Sequence, residues 1–179
     1  MHSGNLVQFC VVLCAQWLLA EGCRWAQFQL GSKNEESVLL LSKMGGHFPL
    51  GCVKEKGARL FPQGVYEKAQ GADVAEVALE ALGYVRDIFR RDMSEVTSSW
   101  NQSELELFIN ILHRQIEKLK PCVGSQNSNE NATLKSYFEK LNAILTEKDL
   151  SACAWEIVRD EVHFNLVQLH AFLQTRKTK

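Results

Sequence analysis

Apolar side chains recur at spacings of three and four along most of this chain, the period that gathers them on one face of an α-helix. Residues 32–44 open with Ser32-x-x-Glu35, a pair suited to satisfy the first free amides of a helix, and Gly45-Gly46 supplies the stop. Residues 72–91 carry Val74, Val77, Ala78, Leu82, Val85 and Phe89 in one stripe. A third segment starts at Ser103-x-x-Glu106, runs through Leu105, Phe108, Ile109, Leu112, Ile116 and Leu119, and halts at Pro121. A fourth, residues 132–147, aligns Leu134, Tyr137, Phe138, Leu141, Ile144 and Leu145. The last, residues 151–174, spaces Trp155, Val162, Leu166, Leu169 and Leu173 in heptad fashion.

No segment alternates convincingly at period two, so the expected fold is all-α, a bundle of five helices. Residues 45–71 break the pattern: they are rich in glycine and hold Pro49, Pro62 and Cys52. This reads as a long first connection. Parallel neighbours cannot be joined by a short turn, so such a connection fits an up-up-down-down bundle. Residues 124–131 form a second, polar loop.

Composition changes the picture mainly at the amino terminus. Residues 6–20 are an apolar run of signal-peptide length, too short for the ~20 residues of a membrane span. Small residues Ala20 and Gly22 place cleavage before Cys23, giving a signal peptide over residues 1–22 and one domain over 23–179. Residues 1–5 lack Lys and Arg, and a membrane anchor or a lipidated Cys23 are the competing readings. Glu21 is the only Asp, Glu, Lys or Arg in residues 1–22, so a chain starting at Cys23 is charge-balanced. Such a balance offers no field to draw it onto nucleic acid.

Removing residues 1–22 discards Cys10 and Cys14 and leaves Cys23, Cys52, Cys122 and Cys153. An even number in a secreted chain indicates a disulfide framework, and spacing alone permits three pairings. Asn101-Gln102-Ser103 and Asn131-Ala132-Thr133 match the N-glycosylation sequon, each at an expected helix start. Catalytic motifs are missing: no Gly-x-Ser-x-Gly elbow, no His-Glu-x-x-His, no phosphate loop. His163 and His170 are seven apart on the last helix and read as half-exposed helix histidines rather than metal ligands. Asp160 and Glu161 read as a solvated face.

Cys153-Ala154-Trp155-Glu156-Ile157-Val158-Arg159 resembles the opening of the last helix in type I interferons. Leu30-Gly31-Ser32, Cys52-Val53-Lys54-Glu55-Lys56, Phe61-Pro62-Gln63, Trp100, Tyr137-Phe138 and Leu150-Ser151-Ala152 continue the likeness in order. The resemblance implies a helical cytokine, secreted and monomeric, with no enzymatic activity, cofactor, metal or membrane insertion. It implies the pairings Cys23–Cys122 and Cys52–Cys153. It also implies a heterodimeric class II cytokine receptor, with chains like the interferon alpha/beta receptor. One receptor chain would be gripped by the long loop through Val53 and Lys56, and by the last helix through an outward-facing Arg159 and through His163; the competing readings are an Arg159 paired with Glu156 or Glu55 on the surface and a Val53 packed under the loop beside Cys52. Exposed positions such as His113 are candidates for the second chain. Lys56 stands where arginine is common in the family, and His163 and Phe164 where mammalian members often carry Met and Arg, which points to a non-mammalian vertebrate lineage. An interleukin-10-like or type III interferon-like ligand, or a secreted helical lipid carrier, would share the fold but not these motifs.

Overall fold

The computed structural model describes residues 24–68, 74–96, 98–123 and 131–177. The proposed signal peptide and Cys23 lie outside them. Five long helices carry the fold: α1 (Leu30–Gly45), α3 (Val74–Ile88), α4 (Gln102–Leu119), α5 (Ala132–Glu147) and α6 (Ala152–Lys177). The long connection contains a 3₁₀ turn, Leu50–Glu55, and a one-turn helix, α2 (Val65–Lys68). Among the described residues there is no strand.

Side-chain pairings fix the helix directions. Asn34 Nδ2 donates to Leu166 O and Arg159 Nη1 to Leu41 O, so α1 and α6 run antiparallel. Gln115 Nε2 donates to Ser37 Oγ and Asn101 N to Met44 O, so α4 also opposes α1. Phe89, just past α3, packs on Trp100 and Phe108 at the start of α4, while α3 also touches the turn Lys120–Cys122 that follows α4, setting these two antiparallel. Hence α1 and α3 run up while α4 and α6 run down, the expected order. α5 is the added helix. It lies parallel to α3, with Glu80 at Asn131, Tyr84 stacked on Phe138 and Arg91 bonded to Asn142.

Helix starts depart from expectation. Ser32 and Ser103 do not cap: Ser32 Oγ donates to Gln29 O inside the helix, and α1 shows no side-chain cap. Asn101 caps α4 by accepting from Glu104 N, and Asn131 caps α5 by accepting from Thr133 N and Leu134 N. Asparagine carries its acceptor three bonds from Cα on a planar amide and caps as well as serine, so the local competition went to the residue just before the helix.

The apolar stripes meet in one core. Trp155, Tyr137, Phe108, Phe138, Leu41, Leu112 and Ile116 are among its largest fully buried side chains. Trp155 is entirely enclosed, at ring distances of 5.9 Å from Phe89 and 6.1 Å from Trp100, and its Nε1 donates to Asp92 O. Trp100 is buried as well and donates its Nε1 to Glu156 Oε1, so both indoles bury their rings while satisfying their one donor.

Candidate functional site

One end of the bundle gathers the carboxyl end of α1, the 3₁₀ turn and the first half of α6. Between α5 and α6 the chain reverses through Asp149 and Leu150, both left-handed at φ 49° and 55°. This region is unfavourable for side-chain-bearing residues. The reversal is held by Leu150 N donating to Leu145 O (2.7 Å). It presents Lys148 and Cys153 to the long connection. A disulfide joins Cys52 to Cys153, and Lys148 Nζ pairs with Glu55 Oε2 at 2.7 Å. Cys122 is a described residue, but its expected partner Cys23 is not.

Further along, the connection is strapped to α6 by charge. Asp160 Oδ2 takes Lys56 Nζ at 2.8 Å and Arg59 Nη1 at 2.7 Å. Glu161, expected at the surface, is buried. Its Oε1 accepts from Arg59 Nη1 and Leu60 N, and its backbone carbonyl from Tyr137 Oη. Arg59 also lies 4.6 Å over the Phe164 ring, and Lys56 4.4 Å over Phe48. The pairs on Asp160, which are partly exposed, each contribute about 0–1 kcal/mol. Their combined effect is to orient the loop.

The structure turns Arg159 inward, against the expected outward orientation. Its side chain is 4% exposed, and its Nη1 donates to Leu41 O, Nη2 to Gly46 O, and both Nε and Nη2 to Glu156 Oε2. Glu156 is buried too and accepts from Trp100 Nε1 at 2.6 Å. Two carbonyls at the end of α1 draw it in: Leu41 O, within the helical ladder, still offers its second lone pair, Gly46 O lies past the last helical turn, and a planar five-donor fork on the facing helix meets both. Gly45 makes the approach possible: a Cβ there would stand 2.5 Å from Arg159 Nε and 2.6 Å from Cζ. Gly46 follows at φ +62°, the backbone turn that only glycine adopts without strain.

The other expected contacts are at the surface. Val53 is half exposed and Lys56 partly so. His163 is half-buried, and its Nε2 meets Ser42 Oγ at 2.9 Å. Among the large apolar side chains of the described residues, the most exposed is one the sequence reading passed over: Leu50 is 90% exposed, on the same disulfide-anchored turn as Val53. An isolated leucine between Pro49 and Gly51, outside every helical stripe, was the available signal.

Burial lowers the pKa of His163. The Asp160 charge opposes this and the Arg159 and Arg59 charges add to it. Because the folded value is depressed, the unfolded chain binds a proton first as pH falls. Stability therefore declines as pH drops below about 6.5 toward the folded value. Replacing His163 by Gln is expected to flatten that part of the profile, which thermal melts between pH 7.5 and 5.5 would read. Equal slopes would exclude His163 as the source. Asp160 behaves oppositely in cause: burial pushes its pKa up, but the hydrogen bonds and charges of Lys56 and Arg59 win and hold it low. The strap therefore persists through mildly acidic pH and is lost only below the usual carboxylate range.

An up-up-down-down bundle with a long first connection pinned by a disulfide is the architecture of a helical cytokine. The interferon alpha/beta domain model matches residues 26–176, and this chain belongs to that family, whose members are cytokines and not enzymes. It is 31% identical over 163 residues to interferon a3 of Oncorhynchus mykiss and 32% identical over 172 residues to human interferon alpha-21, covering 89% of both partners in each comparison. Its fold is similar to zebrafish interferon 1, with a TM-score of 0.67 and 26% identity over 83% of this chain and 97% of that one. Zebrafish interferon 2 follows with a TM-score of 0.65 and 27% identity over 78% and 96%.

Proposed function

We propose that this interferon is secreted as a monomer and signals by bridging two chains of a class II cytokine receptor, like those of the interferon alpha/beta receptor, leading to antiviral gene expression. The face that grips the first chain comprises Leu50, Val53, Lys56, Asp160 and His163. The observation that carries this reading is the exposure of Leu50 and Val53 on a turn fixed by a disulfide and by ion pairs. Exposed apolar side chains on a preorganised element pay little ordering entropy when covered, which is how interface energy comes to concentrate in a few residues. Arg159 serves this face from beneath: its bond to Gly46 O sets where the loop departs from α1.

The test is a titration of a receptor ectodomain from the same species with the Leu50→Ala and Val53→Ala proteins. Each is expected to bind about tenfold more weakly, a loss of roughly 1.4 kcal/mol, with an unchanged melting temperature. Affinities equal to that of the unaltered protein would overturn the assignment of this face. Induction of antiviral transcripts in cells with and without that receptor chain tests the signalling step.

A further inference from the structure

Both sequons coincide with helix caps, a placement that the two atoms of one amide make useful. Asn101 stands before α4 with extended backbone (φ −68°, ψ 110°), and its Oδ1 accepts from Glu104 N at 3.2 Å. Asn131 stands before α5 (φ −73°, ψ 96°), and its Oδ1 accepts from Thr133 N at 3.1 Å and Leu134 N at 3.0 Å. The backbone amides are also anchored, Asn101 N to Met44 O at 2.7 Å and Asn131 N to Glu80 Oε1 at 2.9 Å. Capping uses the oxygen of each side chain and leaves Nδ2 out of it. The next two residues of each sequon, Gln102 and Ser103, Ala132 and Thr133, are exposed.

We propose that Asn101 and Asn131 each carry an N-linked glycan on Nδ2 while Oδ1 of the same amide caps the helix. Glycan transfer joins Nδ2 to the anomeric carbon of a lipid-linked oligosaccharide. It breaks that carbon's bond to the lipid pyrophosphate, releases the pyrophosphate and removes one amide proton. The carbonyl oxygen takes no part, so the modified residue remains a cap. Aspartate or serine would cap as well, but only asparagine does both. Substituting either asparagine therefore has two separable consequences. The inference rests on passage of the chain through a secretory pathway, as proposed above.

The experiment expresses the full chain in a eukaryotic secretory host with Asn101→Ala, Asn101→Asp and Ser103→Ala, and the matching set Asn131→Ala, Asn131→Asp and Thr133→Ala. Glycopeptide mass spectrometry of the secreted unaltered protein should show sugar on both asparagines, and each variant should lose one glycan. The alanine variants should melt about 3 °C below the aspartate variants, although both lack the glycan. A secreted protein without sugar on these residues overturns the modification. Alanine and aspartate variants that melt together overturn the capping role. A protein that stays in the cell fails the secretion reading instead.

Discussion

Replacing Arg159 by alanine is expected to lower folding stability by roughly 3–5 kcal/mol, the range for breaking a buried ion pair from one side. For a chain of this size that is on the order of 10 °C in melting temperature. The Glu156 carboxylate would stay buried with only Trp100 Nε1 as donor, and Leu41 O and Gly46 O would lose the guanidinium. Lysine should rescue little, because one ammonium cannot reach two carbonyls and a carboxylate in the geometry of a planar fork. Gly45→Ala probes the same cluster from the other side. In a helix that change is usually worth about 1 kcal/mol of stabilisation. Here the added Cβ meets the guanidinium, so destabilisation is expected, and it should nearly vanish in the Arg159→Ala background. Thermal and denaturant unfolding of the two single variants and the double variant decide the matter. An Arg159→Ala protein that melts normally yet binds receptor weakly would restore Arg159 as a direct contact.

Arg159 also shows where sequence reasoning stops. Helix period locates the apolar stripes of α1 and α3 to α6, and the glycine-rich interval locates the long connection, because burial is repeated many times and any single exception is outvoted. The positions that failed are polar residues adjoining those stripes. Glu156, Arg159 and Glu161 are all buried on α6, although each is of a type that usually stays wet. Their burial is fixed by donors and acceptors on other segments: Leu41 O and Gly46 O at the end of α1, Trp100 Nε1, and Leu60 N. Those donors and acceptors lie about 56 to 118 residues away in sequence, too far for any local pattern to register. The capping motifs failed for a different reason. Ser103 and Asn101 both lie within reach of the first turn of α4, and composition cannot say which of them the chain enters as its cap. For the candidate face, Val53 and Lys56 came from resemblance alone, whereas Leu50 had only its isolation between Pro49 and Gly51 to mark it, and its exposure gives that signal meaning.

Removing the Cys52–Cys153 bridge should separate the stability of the bundle from the order of its proposed receptor face. The bridge spans 101 residues of sequence. On the chain-entropy account, its loss in a Cys52→Ser, Cys153→Ser protein costs about 4–5 kcal/mol through the unfolded state. The core of five helices contains no part of the bridge except partly adjacent residues of α6, so the folded helical content should survive below the new, lower midpoint. The turn itself is different. Its remaining holds are Lys148–Glu55, Lys56–Asp160, the Arg59 pairs and the Arg159 bond to Gly46 O. The Lys148–Glu55, Lys56–Asp160 and Arg59–Asp160 pairs are partly exposed and individually weak. The Cys52 amide, which donates to Pro49 O, and the Lys56 amide, which donates to Cys52 O and Val53 O, should then exchange with solvent much faster than in the bridged protein. Receptor affinity should fall by about tenfold even at temperatures where the bundle is fully folded, because binding must now order the turn that presents Leu50 and Val53. Hydrogen exchange and a receptor titration on the same sample check both halves. Unchanged exchange at Cys52 and Lys56 would mean that the ion pairs alone suffice to hold the loop, and the bridge would then act on stability only.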